Sequence, residues 1–297
     1  MIKERIADRF REIVSGSSDG KPDWIKLIEM GSGPGLYGPD SAVWQVHGSV
    51  STIVGAIRAL LLQAAHPAAL SGVIEHSRYQ SDLLGRISGT SRWLTITSFG
   101  TDEAIAREAA RVNAMHSHVS GDYINKAGEK TRYRASDPRY LLWVHCAFTD
   151  SFLNSHLALG YPLARGADAY VSEWSKSATG IGLSQAPQTV AELEATLDDF
   201  LLTELSHSTR TDEVVKFIRK PPLGRFSLIF YTILANAAIA TLNERQREIL
   251  GLEKVSRIWI PLCKRLLRLL TYTLGTESPS QLAARNRISN TKVVSEN

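Results

Sequence analysis

The sequence predicts an all-α protein, because apolar residues recur at steps of three and four through most of its 297 residues and runs of alternating β-branched residues are nearly absent. Its glycines and prolines gather in short connectors between those periodic stretches. At 43% hydrophobic and 22% charged residues, the chain can bury a sizeable core. The reading is one multi-helix domain over 21–280 with a buried pocket between helices, preceded by an N-terminal helix and linker over 1–20 and followed by a flexible polar tail over 281–297.

The opening segment "MIKERIADRFREIV" mixes charged and apolar residues at helical spacing, which predicts a helix over 2–14 and lacks the continuous apolar run of a signal peptide. "SGSSDGKPDW" is a connector. "GSGPGLYGPDSAVW" is irregular, with Asp40 or Ser41 placed to cap the helix that follows. Its glycines do not make a nucleotide loop, since no strand precedes them and no Lys-Ser/Thr pair follows. Further helices are expected over 51–65, 83–98, 102–120, 137–159, 167–177, 190–207, 211–219, 226–242 and 254–274, punctuated by Pro138, Pro187 and the Pro221-Pro222 pair.

Two of these helices carry special expectations. The uncharged run 226–242 falls short of the roughly 20 residues that span a bilayer and is expected as a buried core helix. In 254–274, Pro261 is expected to kink the helix near its middle. Beyond it Lys264, Arg265 and Arg268 share one face opposite Leu262, Leu266, Leu269 and Leu270, so the segment covers the core or lies on an anionic membrane surface.

The net charge of +4 is scattered and no nucleic-acid-binding pattern accompanies it, so nucleic acid is not expected as a partner. Cys146 and Cys263 form neither a CxxC pair nor the CxxCH of covalent haem attachment; they read as buried thiols of a cytoplasmic protein.

The histidines carry the functional question. On 102–120, Ile105, Ala109, Val112, His116 and Val119 form one stripe, which turns His116 inward. His118, about 200° further round, shares a solvent face with Glu108 and Arg111. His145 lies on an apolar face with Leu141, Phe148, Phe152 and Leu159. An inward histidine is either a hydrogen-bonded core residue or a ligand, and a metal, a carboxylate or a cofactor propionate would each satisfy its ring. Pro67 places His66 at a helix end. Arg58, the one charge in 51–65, needs a buried anion: a cofactor carboxylate, or Glu75 or Asp82. HExxH and paired ExxH motifs are absent, and the ten-residue step from His66 to His76 matches no usual chelate.

The order "WQVHGSVSTIVGAIRALLLQAAHPAALSGVIEHS", "DLLGRISGT", "RVNAMHSHVSG", "DPRYLLWVH" resembles the bacterial branch of the family of rubber oxygenase (latex-clearing protein) and the MpaB-type oxygenases. The resemblance is specific over Gly38 to Leu159 and looser towards Leu274. It implies an all-α fold holding a b-type haem, with "RVNAMH" assigning the proximal iron ligand to His116. "GRISGT" resembles the distal motif, in which Arg86 contacts a propionate or polarises bound dioxygen and Thr90 donates a hydrogen bond; the structural alternative is an Arg86–Asp82 salt bridge. Rubber oxygenase has a lysine before that threonine, where this chain has Gly89. Arg58, His145 and His66 are further candidates for cofactor contact.

The function implied is a haem-dependent oxygenase acting on a small apolar substrate, an isoprenoid or unsaturated lipid, with dioxygen or peroxide and an unidentified electron donor. The alternative is a helical protein that binds haem or an apolar ligand without turnover. Peripheral contact with a membrane is the one macromolecular association that the sequence suggests.

Overall fold

The computed structural model describes Pro22, residues 24–76 and residues 83–295, with the side chains of 83–88, 273–274 and 292–295 left aside. The expected helix over 2–14 and its linker lie outside the described residues. Among the described residues fourteen helices and one hairpin follow in order: α1 (Ile25–Glu29), α2 (Ala42–Gly48), α3 (Thr52–Gln63), α4 (Pro67–His76), α5 (Leu83–Phe99), α6 (Asp102–Ser117), β1 (Ser120–Ile124), β2 (Lys130–Arg134), α7 (Pro138–Ala158), α8 (Gly166–Gly180), α9 (Val190–Thr203), α10 (Thr209–Arg219), α11 (Arg225–Ala240), α12 (Glu244–Ile249), α13 (Trp259–Leu274) and α14 (Pro279–Ser295). The all-α reading holds, with a single antiparallel hairpin added.

Local chemistry sets the helix starts. The side chains of Ser41, Thr101, Asp137, Thr189 and Ser208 each accept a backbone N–H of the first turn, and Pro138 follows Asp137 where an amide hydrogen is not needed. Asn243 and Gln246 close a reciprocal capping box at α12.

The central contact is α3 against α7. A Cβ at Gly55 would stand 2.5 Å from Phe152 Cδ1 and 3.0 Å from its Cα, so only glycine lets the two backbones approach this closely. One hydrophobic cluster, around Val54, Leu61, Trp143, Leu234 and Leu267, joins the pair to α9, α10, α11 and α13. The other, around Trp44, Phe99, Phe152, Tyr170 and Trp174, joins it to α2, α5 and α8. Arg58, 2% exposed, gives Nη1 to Asp150 Oδ2 at 2.5 Å and to Ser151 Oγ at 3.1 Å, and Nη2 to Gln246 Oε1 at 3.0 Å.

Four expectations are corrected. The tail over 281–297 is helical as far as Ser295, because Ala283 and Ala284 pack into the core and Arg287 is buried. The Arg287 guanidinium donates to the carbonyls of Ile28, of Gly33 at 3.1 Å and of Phe99 at 2.9 Å, beside the C-terminal ends of α1 and α5, where the helix dipoles favour a cation. Pro261 does not kink α13: the helix begins at Trp259, so the proline sits in the first turn. α11 is core only in its second half, through Leu234, Ala235, Ala237, Ala238 and Ile239, whereas Phe226, Ile229 and Phe230 are exposed. Glu108, expected in solvent, is buried between Arg92 and Arg111.

Among the described residues no single helix is long and apolar enough to cross a membrane; α2 and α3 together meet the length but are bent by 88°. Arg58→Ala, which strands Asp150 in the interior, is expected to lower unfolding free energy by about 3–5 kcal/mol. Arg107→Ala, which breaks an exposed pair with Glu103, should cost less than about 1 kcal/mol, and urea denaturation of the two variants checks the contrast.

Candidate cofactor site

His116 lies in the last turn of α6, on the stripe formed by the buried Ile105, Ala109 and Val112. Its ring is half-buried, and its Nδ1 is shielded from solvent with no hydrogen-bond partner among the described residues. Burial first, and the nearby Arg111 charge second, push its pKa below the ordinary histidine value. His118, two residues on, is exposed as expected. One turn before His116, Asn113 Nδ2 donates to the Gly180 carbonyl at 3.0 Å and ties this end of α6 to the end of α8.

His145 reaches the same helix. It is buried on α7 with its ring parallel to that of Trp174, 6.4 Å between centroids and 10° between planes. Desolvation pushes its pKa down to about 4, so the ring is neutral at physiological pH. Trp174 precedes Gly180 by six residues, about 9 Å along α8. The Trp174 indole N–H, like His116 Nδ1, is buried without a partner among the described residues, and so is the hydroxyl of Thr97 on α5. Such groups each cost roughly 1–3 kcal/mol when left unpaired. They lie on helices that pack in sequence, α5 on α6, α6 on α8 and α8 on α7.

Thr90 is half-buried on α5, two turns before Thr97 on the same helical face. The side chain of Arg86 and all of Asp82 lie outside the described residues. A Cβ at Gly89 would meet no described heavy atom within 4 Å.

Arg58 and His66 take protein partners instead. The anion for Arg58 is Asp150, neither Glu75 nor Asp82 as the sequence suggested, and Asp150 is further held by Asn154 at 2.6 Å. His66, fully buried, accepts the Ala68 N–H at Nδ1 (3.2 Å), which leaves Nε2–H to donate to Glu204 at 3.0 Å. Its two nitrogens are thereby used. His76 Nε2 meets the Ser120 carbonyl at 3.0 Å. No group of three or more His, Cys, Asp or Glu side chains able to hold a metal ion occurs among the described residues. Among the described residues the imidazoles thus stand singly rather than as a chelating cluster.

The histidine that sequence reasoning missed is His47. Ser98 gives its hydroxyl hydrogen to Leu94, so His47 Nδ1–H donates to Ser98 Oγ at 2.7 Å and Nε2 accepts from Tyr170 OH at 2.9 Å. The rings of Phe152, Tyr170 and Trp174 enclose it, and burial, with His156 adding to it, pushes its pKa down to about 3. α2, seven residues long and mostly apolar, is too short for its periodicity to show which way this histidine faces, although His47 stands in the quoted motif "WQVHG".

His47 and His145 stay neutral in the fold, while the unfolded chain protonates near 6.5. Below that pH the unfolded state binds more protons. Stability is then lost as pH falls, by about 1.4 kcal/mol per pH unit for each histidine, until the folded-state values are reached. Urea unfolding between about pH 7 and 5 should show this slope, and His47→Gln should make it shallower.

A protein-family model described as "ER-bound oxygenase mpaB/B'/Rubber oxygenase, catalytic domain" matches residues 44–276, a span that runs from α2 to just beyond α13 and contains Thr90, His116 and His145. No curated protein and no solved structure matches the chain. The family match extends over most of the molecule and includes every residue of the candidate site, and the chain accordingly belongs to the catalytic-domain family of mpaB/B' and rubber oxygenase and is an oxygenase-type enzyme.

Proposed function

We propose that the enzyme is a haem-dependent oxygenase of an apolar, unsaturated substrate, in which His116 would hold the iron of a non-covalently bound haem b. The observation that carries this reading is the buried, unpartnered Nδ1 of an imidazole kept neutral by its surroundings. A haem fits such a donor, since it brings its other iron ligands with it and needs one neutral imidazole from the protein. Haem supplies, when bound, a redox-active iron for reaction with dioxygen or peroxide.

The chain's own residues supply the rest. His145 and the Trp174 indole present two neutral polar edges beside α8, suited to a propionate or an ordered water. On α5, Thr90 would serve as a hydrogen-bond donor to the bound oxidant, and the family motif assigns Arg86 the role of the cation. Gly89 leaves room there for an oxidant or a substrate methyl group. Arg58 and His66 act as structural residues, because Asp150 and Glu204 already hold them. Burial raises the thiol pKa of both Cys146 and Cys263 to about 12, which keeps them protonated and unsuited to covalent attachment. Cleavage of an alkene by dioxygen into two carbonyl groups balances without an external reductant, so the reading requires no electron donor.

Purified protein, reconstituted with haem, should show a Soret band that shifts with carbon monoxide. His116→Ala is expected to lose bound haem at least about tenfold, as loss of an axial ligand does, while His118→Ala retains it. Equal retention in the two variants, read by pyridine haemochrome content, would overturn the assignment. Gly89→Lys, which places an amine in the open space beside Thr90, should slow carbon monoxide binding without loss of haem.

A further inference from the structure

We infer that the outer faces of α11 and α13 form a docking surface for an anionic lipid membrane. Of the thirteen large hydrophobic side chains exposed among the described residues, seven belong to these two helices or the residue that opens α13. Phe226 is 83% exposed and Ile229 61%, with Phe230 beside them; on the other helix Ile258, Leu262, Leu269 and Tyr272 are exposed, Tyr272 by 79%. Residues 258, 262, 265, 269 and 272 follow steps of four and three and so make one stripe along α13. The opposite stripe, Cys263, Leu267 and Leu270, is already buried in the core. Because α11 and α13 pack on each other, the two exposed faces adjoin. Apolar side chains scattered singly need no explanation, but a concentration of this kind marks an interaction site.

Charge selects the partner. Residues 219–240 and 257–275 contain seven basic residues, Arg219, Lys220, Arg225, Arg257, Lys264, Arg265 and Arg268, and no aspartate or glutamate. Arg265 lies within the apolar stripe and Arg268 beside it, both exposed. A second copy of the chain docked face to face about a two-fold axis would bring these arginines against one another with no carboxylate on either helix to pair them. An anionic headgroup layer offers what the face lacks: phosphate and carboxylate groups for the arginines, and hydrocarbon about 5–10 Å deep for Phe226, Ile229 and Leu269. Insertion across the bilayer is excluded for α11, whose 16 residues span about 24 Å and whose second half is buried in the protein. The enzyme therefore lies on the surface, a reading that does not depend on haem or on His116.

Co-sedimentation of the full chain with vesicles tests it. The protein should bind vesicles of phosphatidylcholine with phosphatidylserine, bind phosphatidylcholine alone weakly, and be released by salt. Arg265→Gln with Arg268→Gln should lower partitioning roughly 25-fold, about fivefold per charge. Phe226→Ser with Ile229→Ser should lower it comparably, while Leu202→Ser, an exposed apolar residue on α9, leaves it unchanged. All these side chains are exposed, and urea unfolding of each variant verifies that the fold is intact. Absence of binding to the anionic vesicles at low salt overturns the proposal, as does binding that neither double variant weakens. A concentration-dependent dimer that Phe226→Ser with Ile229→Ser dissociates would overturn it too, by making the face a contact between copies.

Discussion

The guanidinium of Arg58 and the carboxylate of Asp150 meet inside the α3–α7 contact, and most of the molecule is arranged around that meeting. Taking both charges out of water costs several kcal/mol per ion, which a buried pair recovers only when its remaining donors and acceptors are also used. Here Ser151, Asn154 and Gln246 use most of them. Since Gln246 also completes the capping box of α12, the pair fixes a third helix as well as two. A slip of α7 by one turn would leave Asp150 buried and alone, so the pair holds the register. The same register sets Phe152 against Gly55 and turns His145 towards Trp174.

Desolvation governs the imidazoles that this frame positions. His47, His116 and His145 are all pushed towards the neutral form, but the three differ in what their ring nitrogens meet. In His47 a directed chain from Tyr170 through the ring to Ser98 and Leu94 uses both nitrogens, which makes it a fully satisfied core residue. His66 reaches the same condition through Ala68 and Glu204. His116, half-buried, keeps a shielded nitrogen with no partner among the described residues, and that difference in satisfaction sets it apart from the packed histidines.

Periodicity makes the large elements legible in the amino-acid sequence. The stripe of Ile105, Ala109 and Val112 turns His116 partly inward, though the helix stops at Ser117 before Val119, and the apolar face through His145 is buried as its spacing predicts. Proline and glycine signals are harder to place, because their effect depends on a boundary that sequence gives only to within a few residues: Pro261 breaks a helix that begins at 254 and merely starts one that begins at 259. Long-range polar pairing is not legible at all. Nothing local to Arg58 points 92 residues ahead to Asp150, and the polar composition of 281–295 hides one buried arginine and two buried alanines that together make it a docked helix. The hairpin over Ser120–Arg134 is carried by a short Tyr, Ile and Thr pattern with a turn at Gly128, too brief to compete with the helical periodicity around it.

The clasp of Arg287 on the carbonyls of Ile28, Gly33 and Phe99 couples the first described helix to the last across 259 residues of sequence. A ribosome adding about 5–20 residues per second needs on the order of tens of seconds to cover that separation. Throughout that interval the carbonyls of Ile28, Gly33 and Phe99 lack the donor that Arg287 supplies. The polar partners of Arg58 and Asp150 are all present once α12 has been made, well before Arg287 exists. Folding during synthesis would then close in two stages, in which the helices around Arg58 and Asp150 assemble first and the layer around α1 is latched only when α14 emerges.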